Sequence, residues 1–350
     1  SEMCIRDRDE AYLFAGGNVN MATADNVDYS YYEKTKKGSF GKKKSTMTET
    51  ETDVSVSSSV SSGTKLVISA GEDFNATGAK LNSDGALLVT AGGDINLDAA
   101  QDSVRQANAS SKKSWTSSKS RSSEVTQTRL NGTELVGESI ELKADNDVLL
   151  NAAALRAEEG VKLTAGNDVL IGAAQETQTS AQSKSSSKAG YTATGWFSST
   201  QKSQQSQSTS TQSIGSAISA DSIEIRSGSD TTLEGSTLVA DKDIGINSGG
   251  NLAITSAENA EASNSKSGSK KVGEIGTTWW QGATGVLKQK QTEEFASTRQ
   301  SGSQVASLGG NINLTAGDRY TQTASQLVAP AGDIGITAKH VDIQAGYDSM

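Results

Sequence analysis

The feature that most constrains this chain is an internal repeat. Segments 66–103, 140–177, 223–260 and 312–349 are each 38 residues long and align almost without gaps. Apolar residues recur in step. Leu66 and Ile68 become Ile140 and Leu142, then Ile223 and Ile225, then Ile312 and Leu314. Leu81 becomes Leu155, Leu238 and Leu327, while Ile95 and Leu97 become Val169 and Ile171, Leu252 and Ile254, Val341 and Ile343. Each pair is spaced i, i+2, the alternation of a strand with one buried face. Gly, Asp and Asn separate the pairs, as turns require.

A shorter period runs inside each block. Leu66 and Ile68 recur as Leu87 and Val89, a shift of 21 residues, and the same shift takes Leu142 to Leu163 and Ile225 to Ile246. A unit near twenty residues with several short strands is the size of one coil of a β-helix, and such a coil buries its inward residues only by stacking on the next. A block is then about two coils. Gly16-Gly17-Asn18-Val19-Asn20-Met21 matches Gly92-Gly93-Asp94-Ile95-Asn96-Leu97, so a partial block (11–24) opens the pattern. Stacked about 4.8 Å apart, the coils predict a rod roughly 40–45 Å long. The fold class expected is all-β: a parallel β-helix, or β-solenoid, with long polar inserts between blocks. Neither end carries a polar cap, so the chain reads as a fragment of a longer protein. The charged opening, 1–8, fits nothing that follows and reads as a non-native leader, leaving 9–350 as the solenoid.

Composition removes much chemistry. One cysteine, Cys4, and one histidine, His340, exclude an internal disulfide and a Cys/His zinc site. Only 34% of residues are hydrophobic and 5% aromatic, too lean for several compact cores but compatible with a stacked rod. No apolar run is long enough to cross a bilayer as a helix. The recurring acids Asp73, Asp94, Asp147, Asp168 and Asp230 fall at turns, and recurrence favours a structural role over catalysis. They stand one per corner, whereas calcium takes six to eight oxygens. No catalytic residue, cofactor or metal site is expected, and His340 is read as a solvated turn residue. A β-helix polysaccharide-active enzyme is the remote alternative.

The inserts, 25–65, 104–139, 178–222 and 261–311, are rich in Ser, Thr, Gln and Lys. The four blocks carry charges of −5, −4, −4 and −2 in a chain of net −9, so the rest is +6. All four tryptophans lie in the inserts, at centres that also hold Lys, Gly and Phe. The alternating arms predict β-hairpins standing off the rod, although serine-rich disordered loops would also suit the composition. An isolated hairpin is marginal in water, so such arms must lie along the solenoid or along each other. Basic arms against acidic coils would make their protease sensitivity depend on salt. Phe40, Trp115, Trp196, Phe197, Trp279 and Trp280 are the candidate tips for contact with a partner or a membrane. Packing of these rings beneath a hairpin is the competing reading. The net negative charge disfavours nucleic acid.

The runs at 90–97, 164–171 and 309–314, with the lysine- and aromatic-centred inserts, resemble the haemagglutinin repeats of the filamentous haemagglutinin family. The insert type is similar to that of the second, more C-terminal repeat region of contact-dependent growth inhibition exoproteins. The resemblance covers essentially 9–350. It implies a right-handed parallel β-helix, exported across the outer membrane by a two-partner-secretion transporter engaging an N-terminal domain outside this sequence. It further implies a secreted, cell-surface filament that contacts a target cell's outer membrane and helps deliver a C-terminal toxin. Adhesion to host or neighbouring cells is the alternative role. Self-association through exposed hairpins is a further expectation.

Overall fold

The computed structural model of the chain describes residues 9–192, 195–274 and 284–349. Among these, every regular element is a strand. One coil shows the plan. Lys80–Ser83, Ala86–Ala91 and Ile95–Asp98 are three short strands meeting at two corners, one strand for each face of the solenoid. The second face stacks nine such strands in parallel, from Glu10–Ala15 through Lys65–Ala70 and onward to Ile334–Thr337. The third face stacks in the same way from Val19–Met21 to His340–Gln344. Nine coils at about 4.8 Å give a rod of roughly 40 Å.

The register turns the repeat into columns. Leu66, Leu87, Ile140, Val161, Ile223, Ile244 and Ile312 lie directly one above another on the second face. Each is essentially buried. Leu81, Leu135, Leu155, Ile218, Leu238 and Val305 form the matching column of the first face. The third face holds Phe74, Ile95, Val148, Val169, Thr231, Leu252 and Tyr320, with Tyr320 the largest fully buried side chain. Like residues stacked at strand spacing fill a narrow core without large aromatic layers, which suits the lean composition.

The corners carry polar columns. Between the second and third faces, the side chains of Asn18, Asp73, Asp94, Asp147, Asp168 and Asp230 each accept a hydrogen bond from a backbone N–H of the next coil, at 2.7–3.2 Å. The recurring acids are therefore corner braces. At the start of this corner the coils approach so closely that a Cβ on Gly228 would lie 1.9 Å from the Gly166 carbonyl oxygen, and one on Gly249 2.1 Å from that of Gly228. His340 is exposed on the last third-face strand, its Nδ1 3.9 Å from Asp318.

The corner from third face back to first alternates between two solutions. On one coil it is a tight turn whose leading residue takes a positive φ: Gly78 (57°), Ala152 (51°), Gly235 (57°) or Ala324 (47°). On the next coil the chain leaves as a long hairpin and returns. A column of hydroxyls, Thr133, Ser216, Ser236 and Ser303, lines this corner, all fully or almost fully buried. The Ser216 Oγ accepts from the N–H of Ala153 and donates to the Gly172 carbonyl. The Ser236 Oγ accepts from the N–H of Ser216, and the Ser303 Oγ from that of Ser236. A buried amide without a partner costs about 1–3 kcal/mol, so these hydroxyls permit the corner to open into a hairpin without loss. Ser216→Ala, which takes the hydroxyl acceptor from the Ala153 N–H, is expected to destabilise the chain by about 1–3 kcal/mol, read as a lower urea midpoint with unchanged m-value. An unaltered midpoint would show that the column is dispensable.

Candidate functional site

The four excursions are paired arms: Ala24–Lys37 with Lys43–Val56, Ala100–Lys113 with Ser117–Asn131, 173–191 with Phe197–Gly215, and Ala257–Glu274 with Thr284–Ser301. They are β-hairpins. The segments between blocks do more than this, however. Each also ends in a first-face strand of the solenoid, Ser59–Ser62, 134–137, Ala217–Ala220 and Gln304–Ser307.

The hairpins do not lie against the coils. The returning arm of each pairs antiparallel with the outgoing arm of the next: Lys43–Asp53 with 103–113, Ser117–Gln127 with 178–188, and Ser199–Thr211 with 260–272. The result is one continuous eight-stranded antiparallel sheet alongside the rod. The spacing explains why it forms. A hairpin contributes two strands, roughly 10 Å of sheet, and it recurs every two coils, also roughly 10 Å of rod. The two lattices match, so every hairpin meets its neighbour edge to edge. Backbone pairing rather than attraction between basic arms and acidic coils holds the arms, and the salt-dependent packing considered from sequence is not the arrangement found.

The three seams, and the outer edge of the last hairpin, close at the base with the same device. The backbone N–H of Ser55 donates to the Asp102 carboxylate at 2.7 Å, that of Leu130 to Glu176 at 2.9 Å, that of Ser213 to Asn259 at 2.6 Å, and that of Gln300 to Asp348 at 2.8 Å. These four acceptors occupy one position of the repeat; three catch an amide just beyond a seam ladder, and Asp348 does the same on the outer strand. Sequence reasoning missed them, although their recurrence as Asp, Glu, Asn and Asp was the available signal. Further out, Arg105 bridges the first two hairpins, 2.7 Å from Glu124 and 3.1 Å from Glu49. The hydrogen bond it donates to Glu124, with the charges of both carboxylates, holds its guanidinium pKa above the ordinary arginine value.

The stacking brings the hairpin tips to one edge of the sheet. Phe40 is 86% exposed and Trp115 89%, each in the turn of its hairpin. Trp196 and Phe197 at the third tip are 56% and 59% exposed, with the Phe197 ring edge-on to Tyr191 at 5.8 Å. Trp279 and Trp280 lie outside the described residues. The four described rings thus face solvent and do not pack beneath a hairpin. Among the described residues, no group of three or more His, Cys, Asp or Glu is arranged to hold a metal ion. No helix there is long and apolar enough to cross a membrane.

A rod of parallel coils with a hairpin at every second coil is the architecture onto which a known sequence pattern maps. The hemagglutinin repeat model matches residues 38–118 and 113–271, most of the chain, with the second and third hairpins whole and the first and fourth in part. The chain belongs to the hemagglutinin repeat family. Among its relatives, the tRNA nuclease CdiA-2 of Burkholderia pseudomallei (strain 1026b) is 26% identical over 83% of this chain and 9% of its own length. The toxin CdiA of Yersinia pestis is 34% identical over 40% of the chain and 4% of its own length. The deoxyribonuclease CdiA of Yersinia pseudotuberculosis is 34% identical over 38% of the chain and 12% of its own length. The chain therefore spans a small part of these proteins. No solved structure matches it.

Replacing 100–131 with a tight corner copied from Gly78-Ala79 should leave the solenoid intact but remove the partner of the first hairpin. That hairpin would then be a lone two-stranded ribbon. Trypsin cleavage between Lys34 and Lys44 is expected to accelerate by roughly tenfold or more, equally at low and high salt. Unchanged cleavage would mean that the seam contributes no protection.

Proposed function

We propose that this chain is a non-catalytic stalk segment of a secreted two-partner-secretion exoprotein, which displays and delivers a C-terminal toxin to neighbouring bacteria. The observation that carries this reading is the rod itself: a repetitive core braced by corner hydrogen bonds, with exposed rings at the described tips of its first three hairpins. The CdiA names of the relatives, toxin and nuclease, favour delivery over simple adhesion. In this reading the nuclease activities belong to other parts of those proteins. The stalk is exported across the outer membrane by a transporter that engages an N-terminal domain, and it stands at the cell surface. The tip edge, with Phe40, Trp115, Trp196 and Phe197, is the surface that meets the target cell, and Trp279 and Trp280, outside the described residues, are proposed to share that role. Self-association would use the two outer strands of the hairpin sheet, Ala24–Lys37 and Thr284–Ser301.

The test is a competition assay with the parent exoprotein carrying Phe40→Ser, Trp115→Ser, Trp196→Ser and Phe197→Ser together. Surface display should be unchanged, while inhibition of susceptible neighbours falls by roughly tenfold or more. Inhibition at the parental level would refute a role for the tips. Lost adhesion from a parent that inhibits no neighbour would identify an adhesin instead.

A further inference from the structure

Two rows of lysine cross the outer part of the hairpin sheet, and strand pairing does not require them. The register sets Lys36 opposite Lys44, Lys44 opposite Lys112, and Lys112 opposite Lys119, a row of four on adjacent strands of one face. Lys37, Lys43 and Lys113 form a row of three at the adjoining position. Neighbouring residues of a strand point to opposite faces, so the second row lies on the other side of the sheet. All seven side chains are exposed, and none forms an ion pair among the described residues. No Asp or Glu occurs from 34 to 48 or from 103 to 123. Like charges directly opposite, with Cβ atoms about 4.5–5.5 Å apart, oppose strand pairing. The rows continue onto the third hairpin as Ser186 and Ser187, so the sheet accommodates a neutral residue here.

We propose that these lysine rows form a docking edge for phosphate-bearing lipid headgroups, at which the sheet meets a membrane edge-on. The proposal rests on reading the tip edge as the contact surface and specifies what that edge recognises. Three features favour a planar headgroup layer. The lysines occupy both faces at one height, so a polyanion lying against one face would meet only one row, whereas a planar surface meeting the sheet's edge engages both. Beyond them, at the outermost turns, stand Phe40 and Trp115, 86% and 89% exposed. Trp115 stands in the turn two residues past Lys113, where its strand ends. Rings entering the interfacial zone, with lysines at phosphate level behind them, is the order that amphipathic surfaces take at a bilayer. Juxtaposed phosphates would also neutralise the repulsion within each row, so docking and sheet stability reinforce each other.

The experiment is flotation of the full chain with phosphatidylcholine vesicles, with and without phosphatidylglycerol, at physiological salt. The wild-type chain is compared with a variant carrying Lys36→Gln, Lys37→Gln, Lys43→Gln, Lys44→Gln, Lys112→Gln and Lys113→Gln, and with Phe40→Ser/Trp115→Ser. Wild type should float with phosphatidylglycerol vesicles, and the lysine variant should bind them at least about tenfold less. The lysine variant should melt no lower than wild type, because it loses repulsion and no partner. The aromatic variant should bind more weakly but keep its preference for phosphatidylglycerol. Equal binding of wild type and the lysine variant to both vesicle types would overturn the lysine proposal and leave membrane contact by the tips standing. A wild-type chain that floats with neither vesicle overturns both. Wild-type binding to single-stranded DNA or heparin as tight as to phosphatidylglycerol vesicles would also overturn it, in favour of a soluble polyanion.

Discussion

The structure depends on a coincidence of spacing made permanent by sequence. Coils of a solenoid and strands of a sheet share one repeat distance, about 4.8 Å. A hairpin uses two strands, so hairpins pair continuously only if they leave the rod at every second coil from the same corner. That is the pattern here: tight turns at Gly78, Ala152, Gly235 and Ala324 alternate with hairpins at the same corner. The 38-residue blocks, with a coil shift of 21 inside them, are the sequence record of that rule. A hairpin leaving one coil early or late would meet no partner at the right height.

That rule asks two things of the corner. It must close tightly on one coil, which gives the positive φ at Ala152 and Ala324, a conformation costing about 1–2 kcal/mol for a residue with a Cβ. On the next coil it must open without leaving buried amides unpaired. The column of Thr133, Ser216, Ser236 and Ser303 meets the second demand, each hydroxyl accepting from a backbone N–H and donating to a backbone carbonyl. The latches of Asp102, Glu176, Asn259 and Asp348 extend the same logic to the foot of the sheet. Bulk hydrophobicity is low because columns of Leu, Ile and Val in a narrow core, with corners braced by hydrogen bonds, hold the rod.

Much of this was legible in the sequence, for a physical reason: stacking makes each coil repeat the burial pattern of the last, so alternation of Leu66 and Ile68 with polar neighbours reappears in every block. The hairpins were legible as alternating arms. Their partner was not, since a Ser/Thr/Gln strand pairs through its backbone and its side chains carry no address. The first-face strands that close each polar segment escaped the block alignment because one apolar residue marks each of them. Shifting Leu81 back by 21 reaches Val60, and shifting Leu155 and Leu238 back by 20 reaches Leu135 and Ile218. Of the candidate tips, Phe40, Trp115, Trp196 and Phe197 are brought to one edge. The lysine rows needed the register, because Lys36 and Lys119 lie far apart in the chain and become members of one row only through three successive seams and turns.

The shared sheet is the central claim, and amide hydrogen exchange along the seams tests it most directly. If the hairpins pair with one another, amides of 103–113, 117–127, 178–188 and 260–272 that bond across hairpins are protected to about the same degree as those bonding within a hairpin. Lengthening the rod by one coil between the second and third hairpins should abolish protection at the seam of 117–127 with 178–188 and leave the other two intact. Seam amides exchanging as fast as exposed loop amides in the unaltered chain, or a seam that survives the added coil, would contradict the account.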